Sequence, residues 1–178
     1  DSITYAKRIQ LAILPSEIPF RNTMIVFKPK DIVSGDFYWM NVAGGKEFIA
    51  AVDCTGHGVP GAFMSFIGYT SLNKIINEKG IYKPSDILNS LNVEVATSLH
   101  QKGEDIVNDG MDIALVCYNP STRMLEYAGA FNPLILIRNG ELMEIKADRF
   151  AIGRSNERKK NFTNHEIALE KGDQIYLY

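Results

Sequence analysis

Three aspartates pose the chemical question. Asp36 opens the apolar run "GDFYWMNV", Asp53 closes "KEFIAAVD", and Asp112 opens "MDIALVCYN". Each sits at the end of a stretch that must be largely buried. A lone buried carboxylate is costly and tends to take up a proton. If strand pairing brings two of them to about 4 Å, their repulsion is on the order of 4 kcal/mol at an effective dielectric near 20. A divalent cation relieves that repulsion, and an oxygen-only ligand set selects Mg²⁺, Mn²⁺ or Ca²⁺ over zinc. One such Asp alone is more simply a turn cap or a strand end open to water. Three in one domain favour the metal.

The glycines that follow Asp53, in "AAVDCTGHGVPGAFMS", suggest other chemistries that the spacing then removes. A phosphate cradle of the P-loop kind needs G-x-x-x-x-G-K-[ST], and a dinucleotide loop needs G-x-G-x-x-G; neither is present. Nor is the nucleophile elbow G-x-S-x-G. What remains is a tight turn that lets backbone approach a metal and starts a helix close by. His57 lies in this turn without an obvious sequence partner. It reads as well as a supporting residue as a base, so it is grouped with Gly56 and Gly58 around the site and not with the catalytic residues.

The elements that must position these residues can be read from periodicity. "SITYAKRIQLAILP" carries Ile3, Ala6, Ile9 and Ile13 at helical spacing, with Lys7, Arg8 and Gln10 on the other side and Pro15 as a stop. It is read either as the end of a helix entering from an upstream domain or as a helix packed on this one. "MIVFKP" reads as a strand, and "GDFYWMNV" and "KEFIAAVD" as a hairpin about Gly44-Gly45. A helix is expected from about Pro60 to Lys79, stopped by Gly80. A second, N-capped by Ser85, should run to about Gln101 with Ile87, Leu88, Leu91, Val95 and Leu99 on its apolar face. "KGEDIVNDG" reads as a polar loop. Short strands follow in "MDIALVCYN", "RMLEYAGA", "LILIRNG", "ELMEIKA", "NHEIALEKGD" and "QIYLY", with turns at Asn119-Pro120, Asn139-Gly140 and Lys171-Gly172-Asp173. Strands and helices in separate runs indicate an α+β fold with antiparallel sheets.

The 178 residues suffice for one domain with a full core, and 46% hydrophobic with 22% charged residues is the composition of a folded one. A formal net charge of -2 gives no basic face for nucleic acid. No stretch is apolar enough to insert directly in a membrane, and the chain does not open on a secretory signal. Cys54 and Cys117 fall in strand-like runs and read as buried thiols in a reducing compartment. A cytoplasmic domain is expected, whether independent or the cytosolic part of a membrane-anchored receptor.

"SGDFYW", "AAVDCTGHGVPGAFMS", "GMDIALV", "YAGAFNPLILIRNG" and "LEKGDQIYLY" together resemble the stage II sporulation protein E-like serine phosphatases, a branch of the metal-dependent type 2C protein phosphatases. The resemblance spans nearly the whole chain, with the motifs in the family's order. It implies an antiparallel β-sandwich flanked by helices in α-β-β-α layers, with two Mn²⁺ or Mg²⁺ ions at one end. By motif, Asp53 would bridge both metals and the Cys54 backbone carbonyl would ligate one. Asp112 would ligate the other, and Asp36 would contact the site directly or through water. A water shared by the metals would attack phosphorus in line. Residues 1–15 would be a linker helix from an upstream sensor or dimerisation domain, and 16–178 the phosphatase domain.

Two departures from the family pattern stand out. Phe131 occupies the position where A-G-H-N-P usually supplies a histidine. The S/T-D-G that follows the last strand in the family, with a further ligand Asp, is not in these 178 residues. The expectation is therefore a domain truncated at its C-terminus, with one or both metals weakened or lost. The expected activity is hydrolysis of phosphoserine or phosphothreonine on a regulatory protein, in the family often an anti-sigma-factor antagonist. The alternative is a catalytically incomplete module that binds a partner or signals by dimerising through the N-terminal helix. A histidine-kinase-like ATP site lacks its second glycine-rich segment. The basic "GRSNERKK" reads as a solvated loop before a docking site.

Overall fold

The computed structural model describes residues 2–29, 31–99, 109–154 and 160–178. After helix α1 (Ser2–Ile13) come strands β1 (Phe37–Ala43) and β2 (Lys46–Cys54). Helices α2 (Gly58–Asn77) and α3 (Pro84–Leu99) are next, then β3 (Met111–Asn119), β4 (Met124–Ala130), β5 (Leu134–Arg138), β6 (Glu141–Ile145), β7 (His165–Ala168) and β8 (Gln174–Tyr176). The strands form two antiparallel sheets, one of five strands in the order β1-β2-β3-β4-β7 and one of three in the order β6-β5-β8. The fold is the expected α+β sandwich.

Period-two alternation sorts the five-stranded sheet into two faces. Phe37, Trp39, Phe48, Ala50, Val52, Ile113, Leu115 and Cys117 point to one side and meet Leu72, Ile75 and Ile76 of α2 and Ile87, Leu88, Leu91 and Val95 of α3. The opposite face supplies Ala114, Val116, Leu125 and Tyr127, which pack on Leu134 and Leu136 of the second sheet. The described helices cover the five-stranded sheet; a helical layer over the three-stranded one is not among the described elements. No described helix is long and apolar enough to cross a membrane. Both cysteines are free and buried, and burial raises the Cys117 thiol to about 11, so it stays protonated.

The hairpins follow their turn chemistry. Gly44 and Gly45 take φ of 59° and 72°, and Asn139 and Gly140 take 53° and 81°, the left-handed pairs that two-residue turns between twisted strands require. Other expectations need correction. Residues 24–29 form no strand. Met24 and Val26 are 83% and 71% exposed, and Phe27 instead packs its ring edge-on against Tyr38 at 5.6 Å. The β-branched composition was not enough without a sheet edge to pair with. Helix α2 begins at Gly58, two residues before Pro60, and ends at Asn77. Ser85 is not a cap; Pro84 takes the first position of α3, where its missing N–H is harmless, and the Ser85 N–H bonds Asn164 Oδ1 at 3.2 Å. Helix α3 is described to Leu99, so Gln101 lies outside the described residues, as do most of "KGEDIVNDG" and residues 155–159 of the basic stretch.

Helix α1 reverses its expected orientation. Ile3 and Ile9 of the apolar stripe are 41% and 48% exposed, whereas Gln10 is the buried residue. A buried amide is tolerated only when bonded. Here Gln10 Nε2 donates to the Ser34 carbonyl at 2.6 Å and to Ser65 Oγ at 3.0 Å, and Oε1 accepts the Ser34 N–H at 2.9 Å. Polar complementarity, not the apolar stripe, seats α1 on α2 and on the segment leading to Asp36.

Candidate functional site

Register explains why three aspartates far apart in sequence share a place. Asp53 on β2 is paired directly with Asp112 on β3. One step before Phe37↔Val52, the same register sets Asp36 opposite Asp53. The three acids thus form a row across neighbouring strands at one end of the five-stranded sheet. All lie on the face turned toward the second sheet, because their neighbours Phe37, Val52, Cys54 and Ile113 take the helix side. They sit at the rim, one alternation outside the inter-sheet core. That rim position corrects the expectation of burial: Asp36 and Asp53 are exposed and Asp112 is half-buried, although the residues beside them in sequence are buried.

The carboxylates feel one another. Partial burial, then a side-chain hydrogen bond with Asp53, then the Asp53 charge raise the Asp36 carboxyl from 3.8 to about 6. Two carboxylates can bond only by sharing a proton, so near neutral pH the pair carries unrelieved negative charge. The Cys54 thiol, on the opposite face, is pushed far up, first by burial and then by the charges of Asp53, Asp36 and Asp112. Cys54 therefore offers its backbone and not a thiolate.

The glycine turn has a spatial explanation. Gly56 takes φ 89°, which turns the chain sharply after β2. Gly35 and Gly61 provide close approach. A Cβ on Gly35 would stand 2.8 Å from the Gly56 carbonyl oxygen and 3.0 Å from that of Cys54, and one on Gly61 would stand 2.6 Å from the Gly56 oxygen. The approach to Asp36, the turn after Asp53 and the start of α2 thus meet backbone to backbone. His57 reaches Asp31, Nδ1 to Oδ2 3.2 Å, with its side chain 87% exposed. Its partner lies in the segment before Asp36, a contact that sequence spacing did not reveal.

Thr55 was missed by sequence reading. Its N–H donates to the Gly110 carbonyl at 2.9 Å, and its Oγ1 accepts the Gly110 N–H at 3.1 Å. This reciprocal pair ties the end of β2 to the residue before Met111-Asp112 and holds the Asp53↔Asp112 register. A Thr one residue past a strand acid was the available signal. Gln10 was missed too, because its helical spacing placed it on the solvent side.

The acids offer only hard, oxygen acceptors, two of them in contact, which suits a divalent cation of the Mg²⁺ or Mn²⁺ type. Among the described residues, however, no three His, Cys, Asp or Glu side chains stand close enough together to hold an ion without rearrangement.

Two packed antiparallel sheets with helices over one of them are the architecture of the PP2C-type domains that this chain is similar to. The SiaA-PP2C domain of Pseudomonas aeruginosa matches with a TM-score of 0.85 and 33% identity over 99% of this chain and 70% of that one. The sequence profile of stage II sporulation protein E (SpoIIE) matches residues 43–178, and the chain belongs to that family. The PP2C phosphatase domain of SpoIIE from Bacillus subtilis, with a fragment of its regulatory domain, matches at TM-score 0.61 and 24% identity over 79% of this chain and 39% of that one. RsbX, in a complex with magnesium, shares the fold at TM-score 0.59 and 16% identity over 82% of this chain and 65% of that one. No curated protein matches the sequence.

Proposed function

We propose that the chain is the catalytic domain of a metal-dependent protein serine/threonine phosphatase that acts on a phosphorylated regulatory protein, an anti-sigma-factor antagonist being the family-type substrate. The observation that carries this reading is the in-register row of Asp36, Asp53 and Asp112 across β1, β2 and β3. Asp53 stands in the middle, where it can face cations on both sides. The Cys54 carbonyl and Asp112 would add further donors to Mn²⁺ or Mg²⁺ ions, with Asp36 beside them and the family's S/T-D-G aspartate not among these 178 residues. When bound, such ions supply an activated water and charge stabilisation for in-line attack on a phosphate monoester. The chain's own residues order the site: Thr55 and Gly110 hold the strand ends, the close-packed glycines bring the backbone near, and Asp36 must release its proton as cations bind. Gly56, His57 and Gly58 shape the turn that supports this arrangement.

The MgCl₂- or MnCl₂-dependent hydrolysis of a phosphoserine protein and of p-nitrophenyl phosphate, by a form that carries the S/T-D-G segment after Tyr178, tests the reading. Asp53→Asn and Asp112→Asn should each abolish it. Turnover undiminished in EDTA would overturn it.

A second reading is favoured by the open acid row: with no three ligands converged among the described residues and Phe131 in place of a histidine, the domain would act by binding or dimerisation without catalysis. Calorimetric titration separates the two, since no heat of binding at millimolar Mn²⁺ even with an S/T-D-G segment added after Tyr178 supports the second. In either case α1 would link to an upstream sensor domain in the cytoplasm. Its exposed Ile3, Tyr5 and Ile9 would pair with a second copy.

A further inference from the structure

The basic stretch "GRSNERKK" opens on a residue that is half-buried and packed beside the acid row. Arg154 follows a segment that closes on β3. Met111 N–H donates to the Ile152 carbonyl at 3.1 Å, and Ile152 N–H donates back to the Met111 carbonyl at 2.9 Å. Met111 and Ile152 both face the helices. Side chains alternate along the paired chains, so Gly110, Asp112 and Ala151 take the other face, the one that carries the acid row. A Cβ on Gly110 would stand 3.4 Å from Arg154 Cγ and 3.6 Å from Ala151 Cβ. The Arg154 stem therefore lies over Gly110 on the acid-row side, about 7 Å along the strand from Asp112.

The backbone is built to hold it there. Gly153 takes φ 90°, its N–H donates to Asn92 Oδ1 at 2.8 Å, and a Cβ on it would meet Val95 Cγ1 at 2.6 Å. That turn, fixed against α3, redirects the chain after Ile152 and sets Arg154 over Gly110. Gly110 is itself tied to Thr55, two residues past Asp53. Yet the guanidinium has nothing to hold. Arg154 makes no hydrogen bond or ion pair among the described residues, and its Nε is shut off from solvent without an acceptor. A buried N–H left unbonded is a cost that a purely structural arginine relieves with a carboxylate or a carbonyl. Three aspartates share this face and Asp109 lies next to Gly110, but Arg154 pairs with none of them.

We infer that Arg154 is a substrate-binding residue: its guanidinium takes the phosphate oxygens of the phosphoserine or phosphothreonine as the phosphoryl group meets the cations at the acid row. This rests on the phosphatase reading above and adds a residue to it. Turning the guanidinium toward the row gives the orphaned Nε its acceptor. The charges favour the same role. On that reading the three aspartates and the S/T-D-G aspartate balance two divalent cations, so a further positive charge helps to hold a phosphate dianion. A planar guanidinium supplies that charge as a fork of donors matched to phosphate.

The test uses the form that carries the S/T-D-G segment after Tyr178, in saturating MgCl₂, with inorganic phosphate as the probe. Isothermal titration should show phosphate bound about tenfold more weakly by Arg154→Ala than by the parent. Arg154→Lys keeps the stem over Gly110 but not the fork, and should lose about threefold. Lys7→Ala removes the same charge from α1 and should bind phosphate as the parent does. Mg²⁺ affinity measured without phosphate should stay within about twofold in all three variants, which loss of a merely structural support at Gly110 would not allow. With p-nitrophenyl phosphate, KM should rise in the Arg154 variants more than kcat falls. Absence of phosphate binding in the parent overturns the inference, as does a loss below about twofold in both Arg154 variants or an equal loss of Mg²⁺ affinity. Metal-dependent hydrolysis by the parent, with phosphate affinity untouched in Arg154→Ala, defeats this inference alone. Failure of the phosphatase reading shows instead as absent metal-dependent hydrolysis.

Discussion

Gly35→Ala tests the claim that close backbone contact builds the site. Gly35 does not have a positive φ, so alanine is not refused by the backbone conformation. The added Cβ would instead meet the Gly56 and Cys54 carbonyl oxygens at 2.8 and 3.0 Å. Both are main-chain atoms and cannot swing aside, so the segment must shift by several tenths of an ångström. Overpacking of this kind costs about 1–3 kcal/mol. At roughly 2–4 °C per kcal/mol for a chain of this size, the melting temperature should fall by about 2–12 °C. Gly45→Ala is the matched control. With φ 72° and open space around it, its cost is conformational, about 1 kcal/mol, and it lies at the far end of the β1–β2 hairpin. Both variants should melt early, but only Gly35→Ala displaces the Cys54 carbonyl and Asp36. Differential scanning calorimetry and Mn²⁺ titration read the two effects. Undiminished Mn²⁺ affinity and melting temperature in Gly35→Ala would refute the reasoning.

On the proposed reading, Asp36 should make cation affinity depend on pH. Its carboxyl, raised to about 6 by partial desolvation beside buried neighbours and by Asp53, holds a proton below that value and must lose it to face a cation. Mn²⁺ affinity should therefore fall as pH drops through 6, with close to one proton released per binding event at pH 5.5, measured by calorimetry in buffers of different ionisation enthalpy. Without metal the sign for stability is opposite: the folded state holds this proton where the unfolded carboxyl does not, so stability falls as pH rises from about 4 to 6 and stays low above. Asp36→Asn should raise the metal-free melting temperature at pH 7 by a few degrees while weakening Mn²⁺ binding tenfold or more. Thr55→Val keeps the shape but strands the Gly110 N–H; a loss of about 1–2 kcal/mol in urea unfolding and weaker Mn²⁺ binding should follow. Gln10→Ala strands the Ser34 N–H, which should cost about 1–3 kcal/mol and speed amide exchange at Ser34, read by NMR.

Much of the fold and site was legible before any coordinates. Apolar runs in "KEFIAAVD" and "MDIALVCYN", bounded by turn signals, marked both central strands, since a strand packed on both faces reads as a continuous apolar run. The aspartates stood out because three of them end or open apolar runs within one domain. Where reading failed, the deciding partner was remote. "MIVFKP" had strand composition but found no ladder, and Ser85 looked like a cap although Asn164, 79 residues on, takes its N–H. The stripe of α1 promised an apolar contact, yet Gln10 is the buried residue because Ser34 and Ser65 happen to complete its hydrogen bonds.

The sequence by itself determined the class of fold, the hairpin turns and which acids to look for, because periodicity, positive φ and residue type are local properties. Tertiary structure alone decided that Asp36, Asp53 and Asp112 fall in one row at the rim of the sheet. That depends on register across three strands, and register is settled by which faces bury together and by distant pairs such as Thr55 with Gly110, which no single stretch of sequence contains.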